Sequence, residues 1–156
     1  MSVTPIRLRA EDAEDVNIVS ACLQDAILPI GNMDFLPEER RFILLVSRFR
    51  WETADQPRPG PVADDDHESP YERVQCGVRV EGVTGVKRRG LDLKDRAQML
   101  ELLAITPEDG GLLLTFAGGA CLRLEGERLR VLVEDVGDPW PTGLRPTHTE
   151  GAQQSA

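Results

Sequence analysis

The chain has few aromatic residues and lacks long apolar runs, and each shortage excludes a class of protein. Aromatic residues make up 4% of the 156 residues, so the stacking platforms that bind single-stranded nucleic acid are scarce. The longest apolar run, Phe42 to Val46, is far shorter than the roughly 20 residues of a membrane-spanning helix. The first residues also lack a signal-peptide pattern. We therefore expect no membrane association.

Cysteine and histidine are also scarce. Cys22, Cys76 and Cys121 form neither a CxxC pair nor an even set, which argues against a disulfide framework or a zinc site and favours the cytoplasm. We expect all three to be small buried apolar residues. The two histidines, His67 and His148, lie in expected loops and cannot be linked to a serine and an acid. The sequence therefore predicts no catalytic residue, no metal ligand and no cofactor.

Basic residues are fewer than acidic ones. The chain has 18 Lys and Arg against 27 Asp and Glu, a formal net charge of -9, which repels phosphate backbones and anionic lipid. We expect no nucleic-acid partner. The acidity is concentrated in residues 11–25 and 53–71. The one basic run, Lys87-Arg88-Arg89, is typical of a solvated strand end.

A single amphipathic helix is predicted near the amino terminus. Apolar residues recur at three- and four-residue spacing and form one stripe: Ala13, Val16, Val19, Leu23, Ala26 and Ile27. Asp12 or an adjacent acid is expected to cap the first turn. Pro29 and Gly31 are expected to end the helix.

From residue 27 onward the pattern favours β-strands. After a first short strand at residues 6–9, the predicted strands cover residues 27–36, 40–52, 73–81, 83–89, 100–106, 112–116, 122–126 and 129–133, with a helical turn at 92–97 and a hairpin turn at 117–120. Residues 53–71 combine acids with four prolines and predict a surface loop. The predicted domain covers residues 1–141, followed by a flexible tail over 142–156.

The two halves of the strand region resemble each other. Pro37-Glu38-Glu39 precedes an apolar strand as Pro107-Glu108-Asp109 does, at an offset of 70 residues. Val78 to Gly82 resembles Leu122 to Gly126 at an offset of 44. This pattern indicates two similar antiparallel meanders, which arose either by duplication or by chance recurrence of short alternating motifs.

The predicted fold is α+β, with one amphipathic helix packed on an antiparallel β-sandwich or partly open barrel of about 7–9 strands. Its apolar core is expected to draw on the helix and on both meanders. The predicted core residues are Val16, Val19, Leu23, Leu44, Val46, Phe49, Val78, Val80, Leu114, Phe116, Leu122 and Leu124.

The strongest candidate site is the segment Arg48-Phe49-Arg50-Trp51-Glu52. Strand alternation would place Arg48, Arg50 and Glu52 on one face and both aromatics on the other. One interpretation is core aromatics with a salt-bridged outer row. The other is a pair of arginines that binds the carboxylate of a ligand or partner, with Arg48, Arg50, Trp51 and Glu52 as the ligand-binding residues.

Six segments, in this order and context, also resemble a known family: Leu8 to Asp12, Leu23 to Ala26, Arg48 to Glu52, Leu102 to Ala104, Phe116 to Gly119 and Asp135 to Trp140. The chain is similar to domain-of-unknown-function family 2948, an uncharacterised bacterial family, from about residue 5 to residue 148. The resemblance implies a small bacterial protein and supplies no catalytic or binding residues.

Two functions are consistent with these patterns. The first is a small non-enzymatic cytoplasmic binding or protein-interaction module, which binds a protein partner or a second copy of itself through a sheet edge. The alternative is a small-ligand-binding protein or enzyme with an anionic-ligand pocket near Arg48 and Arg50.

Overall fold

The computed structural model describes residues 5–54 and 71–142, which form ten strands and two helices. The helices are α1 (Ala13–Leu23) and the single turn α2 (Trp51–Ala54). The strands are β1 (Arg7–Ala10), β2 (Ala26–Pro29), β3 (Met33–Leu36), β4 (Arg41–Phe49), β5 (Tyr71–Glu81), β6 (Gly85–Arg89), β7 (Met99–Glu108), β8 (Gly111–Phe116), β9 (Cys121–Glu125) and β10 (Arg130–Thr142).

All ten strands belong to one antiparallel sheet that does not close. Its order is β1-β10-β5-β4-β2-β7-β8-β9-β6, and β3 pairs with β4 beside this path. The predicted α+β class, with one main helix on an open antiparallel sheet, is confirmed. The strand number is ten because the segment predicted as one strand over 27–36 is broken by a 3-10 turn at Ile30–Asn32.

Helix α1 begins where the sequence predicts and ends earlier. The Asp12 side chain accepts a hydrogen bond from the Asp15 amide at 2.8 Å, so Asp12 is the N-cap. The predicted end at Pro29 and Gly31 is wrong, because the helix stops at Leu23. Asp25 then adopts a left-handed φ of 66°, which turns the chain into β2.

The core lies inside the curved sheet, where apolar side chains of β4, β5, β7, β8 and β10 meet around one small internal space that α1 also lines. Helix α1 packs mainly against β7, and also against β1 and β4. All twelve predicted core residues are buried. Eleven of them belong to the core cluster, whereas strand alternation puts Phe49 on the opposite face of β4. The period-two and 3.6-residue patterns therefore identified residues that build the core.

The two predicted meanders, β3-β4-β5 and β7-β8-β9, share their strand register. Phe42 pairs with Val80 and Leu44 with Val78 in the first. The second pairs Leu112 with Leu124 and Leu114 with Leu122, at the same offsets of 70 and 44.

The turns and following strands of the meanders also correspond. Arg40 and Gly110, 70 residues apart, both have positive φ and both accept a backbone hydrogen bond, from Gly82 and Gly126 respectively. The strand after each meander then crosses to the other: β6 pairs with β9, and β10 pairs with β5. These correspondences are what an internal duplication would produce.

Smaller sequence predictions have mixed outcomes. The turn at 117–120 is confirmed, with the Phe116 amide bonded to the Ala120 carbonyl at 2.9 Å. The helical turn predicted at 92–97 is wrong, because these residues form two hydrogen-bonded turns instead. The last strand extends to Thr142, well past the predicted residue 133. Most of the predicted acidic loop, 55–70, and of the predicted tail, 143–156, lies outside the described residues.

Candidate functional site

The candidate segment does not continue the strand as alternation predicted. Strand β4 ends at Phe49, and Trp51 begins the single-turn helix α2. Arg48 and Phe49 are consecutive, yet both are fully buried. Both faces are therefore covered at this end of β4, and Arg48 does not belong to the salt-bridged outer row that alternation offered as one interpretation.

Aromatic and cationic groups cover Phe49. Its ring lies 4.6 Å from the Trp51 ring in an edge-to-face arrangement and 5.9 Å from the ring of Tyr71. The guanidinium carbon of Arg73 lies 5.8 Å from the Phe49 ring centroid. Such contacts add to burial itself and hold the chain as it leaves the sheet.

Arg48 lies on the inner face and binds two carboxylates of its own chain. Its Nε and one terminal nitrogen donate to the two Asp135 oxygens at 2.7 Å each. Its terminal nitrogens donate to the two Glu52 oxygens at 2.9 and 2.7 Å. Asp135 also accepts from the Ile6 amide at 2.9 Å, so one buried guanidinium joins β4, β10, α2 and the residue before β1.

The remaining candidate residues extend this cluster. The Arg50 guanidinium forms an ion pair with Glu72 and lies 3.5 Å from Glu52. The Trp51 indole nitrogen donates to the Gln24 carbonyl at 3.1 Å. The structure therefore brings all four predicted site residues together, and places carboxylates of this chain where the sequence predicted a ligand carboxylate. Their role in ligand binding stays a prediction.

The cluster keeps its charges. Burial disfavours charge on Arg48, but hydrogen bonds to Asp135 and Glu52 outweigh it and raise the Arg48 pKa. Burial likewise opposes ionisation of Asp135 and Glu52, yet the hydrogen bonds from Arg48 hold the pKa of each below its usual range. Arg48, Asp135 and Glu52 are therefore all charged at neutral pH.

The nearby thiols are suppressed as nucleophiles. Burial, with Asp135 beside it, raises the pKa of Cys76 to about 12. Burial also raises the pKa of Cys22, and the Arg48 charge offsets this only in part. A thiol with a raised pKa is inert at neutral pH. The prediction of buried cysteines is correct for Cys76, whereas Cys22 and Cys121 are half-buried.

Two other predictions concern metals and membranes. Within residues 5–54 and 71–142, no group of three or more His, Cys, Asp and Glu side chains is placed to hold a metal ion. Among the same residues no helix has the length and apolar character needed to cross a membrane.

A second feature, which was not predicted from the sequence, is a groove on the outer face of the sheet. It has a volume of about 540 Å³ and crosses β1, β10, β5 and β4. Leu45 and Val136 lie in it with 38% and 44% of their surfaces exposed. An apolar run such as Phe42 to Val46 is typical of a strand that is covered on both faces, but the core covers only the inner face of β4.

The register explains the shape and charge of the outer groove. Leu45, Gly77, Glu134 and Arg7 are paired in one row across the four strands. Because Gly77 has no side chain, this row is indented at its centre. Of the described charged residues, Arg7, Arg9, Arg79 and the acid Glu134 line the groove. The sequence signal for this surface is that Phe42 to Val46 is apolar at both even and odd positions, so apolar side chains lie on both faces of the strand.

These observations define an α+β protein with a ten-stranded open sheet, a buried ion cluster at one end of β4 and an apolar groove on its outer face. The chain belongs to the family described as proteins of unknown function (DUF2948), whose model matches residues 6–148. This confirms the resemblance seen in the sequence. No curated protein and no solved structure matches the chain.

Proposed function

We propose that the protein is a cytoplasmic binding module that holds an acidic, partly apolar segment of a partner protein in the outer groove. The observation that carries the proposal is the exposed pair Leu45 and Val136 beside an arginine rim. Exposed apolar side chains that cluster in a groove with polar edges are typical of interaction sites. The sequence favoured a sheet edge, whereas these side chains lie on the sheet face.

The arginines around the groove can exchange their present acidic partners for those of a bound segment. Arg7 pairs with Glu134 at 3.9 Å, Arg9 with Glu11 at 2.8 Å, and Arg79 with Glu81 at 2.7 Å. The arginine side chains are 83%, 60% and 49% exposed. Exposed ion pairs contribute little to stability, so carboxylates of a partner can replace these intramolecular ones at small cost.

The groove supports binding better than the alternative site does. An anionic ligand at Arg48 and Arg50 would have to displace Glu52, because both guanidinium groups already face that carboxylate. Arg48 is also fully buried, so a ligand would reach it only after the cluster opens. The outer groove needs no such rearrangement.

The test is a peptide selection on the full chain followed by variants of the groove. Peptides enriched from a random library should combine apolar and acidic residues. Leu45→Glu should weaken binding of the enriched peptides by about tenfold or more, since a carboxylate then occupies the apolar floor and repels their acidic residues. Ile18→Glu is the matched control, because Ile18 is exposed on α1, away from the groove.

Gly77→Val is the second variant. A Cβ at this position would contact only the Glu134 carbonyl, at 3.9 Å, so the fold should accept the side chain while the groove is filled. Binding should fall with no loss of thermal stability. If no peptide is enriched, or if Leu45→Glu and Ile18→Glu bind equally well, the groove is not the binding site.

A further inference from the structure

A cavity of about 310 Å³ lies where the sheet fails to close. Among the described strands, β3 pairs only with β4, and β6 pairs only with β9. Residues of both strands, Met33 to Phe35 and Val86 with Arg88, line the cavity. The gap between these two edges therefore opens into the protein interior instead of being filled by another described strand.

The floor and walls of this cavity are apolar. Ile30, Phe42 and Leu122 form the floor and are 2%, 4% and 3% exposed. Phe35 and Val86 are half-buried in the walls. A concave site of this volume with apolar and aromatic walls is typical of small-molecule binding.

One of the two arginines at the mouth is held in place. The Arg96 guanidinium donates to the Gly31 carbonyl at 3.0 Å, and the Gly31 amide donates back to the Arg96 carbonyl at 2.8 Å. A Cβ on Gly31 would lie 3.3 Å from Arg96 Nε, so glycine permits this close approach. The guanidinium has five donor hydrogens, and its orientation is set before any ligand arrives.

The second arginine, Arg88, is exposed on the edge strand β6. Within the described ranges neither Arg88 nor Arg96 forms an ion pair, whereas the arginines at the β4 end and in the outer groove do. Asp34 is the one acid among the described residues that line the cavity. Two arginines and one aspartate give the mouth a net charge of +1.

From this geometry we propose that the cavity between β3 and β6 binds a monocarboxylate with an apolar tail. The tail lies on Phe42 and Leu122, and Arg88 and Arg96 bind the carboxylate. A planar guanidinium matches the two oxygens of a carboxylate. The apolar floor and walls suit an alkyl chain, which inorganic phosphate lacks. This ligand site lies on different elements from the outer groove and is independent of it.

Titration calorimetry with decanoate, below its micellar concentration, tests the proposal. Arg88→Gln should weaken decanoate binding by about tenfold or more, the loss expected for a charge-assisted hydrogen bond. Arg89→Gln, the neighbouring arginine that does not line the cavity, should change it less than about twofold. Asp34→Asn should act in the opposite direction and tighten binding, because it removes a repelling charge.

Further measurements separate the contribution of the apolar tail from that of the carboxylate, and binding in the cavity from binding in the outer groove. Decanol should bind more weakly than decanoate and be insensitive to Arg88→Gln. Val86→Phe should fill the cavity and abolish binding, with the thermal midpoint showing that the variant is folded. Leu45→Glu, in the outer groove, should leave decanoate binding intact. Absence of decanoate binding, or equal losses in Arg88→Gln and Arg89→Gln, would overturn the assignment.

Discussion

At the scale of single residues, Arg48 is the side chain whose role depends most on its surroundings. It sits in an alternating strand segment where a solvent-facing charge was expected. It is instead fully buried, and its bidentate partner Asp135 lies 87 residues further along the chain. A buried guanidinium is tolerated only when carboxylates neutralise its charge and accept its hydrogen bonds.

The stability of the fold should therefore depend strongly on Arg48. Arg48→Met leaves Asp135 buried without its cation, and we expect the free energy of unfolding to fall by about 3–5 kcal/mol. Arg41→Met is the matched control on the same strand. It removes two ion pairs, to Glu39 and Glu81, that are more exposed than those of Arg48. The free energy of unfolding should therefore fall by less than about 1 kcal/mol. Urea unfolding measures both, and equal losses would show that the buried cluster adds nothing special.

At the scale of elements, the ion cluster is a junction. Asp135 of β10 holds Arg48 of β4 and the Ile6 amide before β1, and Glu52 brings in α2. These elements meet at one end of the sheet and are far apart in sequence. The polar contacts of this junction hold the buried end of β4 in place.

Acid should weaken this junction. Folding lowers the pKa of both Asp135 and Glu52, so the unfolded chain binds protons more readily than the folded one. Their stabilising contribution is complete above the unfolded pKa values of about 4 and is lost as the pH falls through the lower folded values. We expect the urea midpoint to drop between about pH 5 and pH 3.

Glu52→Gln provides the control for this pH dependence. The amide cannot titrate, so the variant should begin less stable at neutral pH and lose less stability on acidification. A wild-type urea midpoint that stays constant down to about pH 3 would contradict the lowered pKa values.

At the scale of the whole molecule, the crossed strands join the two meanders. Strand β6 leaves the first meander to pair with β9 of the second, and β10 leaves the second to pair with β5 of the first. Neither meander can therefore lose its register without opening the other. The fold is a pair of similar units that complete each other's sheet.

Unfolding should accordingly be a single cooperative transition. Native-state hydrogen exchange should give opening free energies for β4–β5 and β8–β9 that agree within about 1 kcal/mol. The physical reason is that each meander shares a strand with its counterpart. If β8–β9 opened at a much lower free energy while β4–β5 stayed protected, the meanders would be separate folding units.

Local patterns predicted much of this architecture. Period-two alternation predicted that Val78, Val80, Leu122 and Leu124 lie in the core. The apolar stripe that follows the Asp12 cap predicted where the helix begins. These predictions succeed because burial of one face imposes a short period on the chain. They fail at Leu23 and Phe49, where the helix and the strand end early, because contacts with distant segments decide how far an element continues.

The candidate site was predicted as a set of residues and not as an arrangement. The order of residues shows that Arg48, Arg50 and Glu52 are close together, but it cannot show that Asp135 and Glu72 neutralise the two arginines. The outer groove and the cavity between β3 and β6 were likewise hidden. Both depend on which strands lie side by side and which edges stay unpaired.

By itself, the sequence determined the α+β class, the capped helix, the inner-facing residues of the strands and the likeness of the two meanders, since these depend on short-range periodicity and on turn residues. Tertiary structure alone decided the crossing of β6 and β10, the neutralisation of Arg48, and the two open apolar surfaces. The physical reason is that pairing partners, ion pairs and cavities join residues that are far apart in the chain, and their energies depend on a geometry that exists only after the sheet has formed.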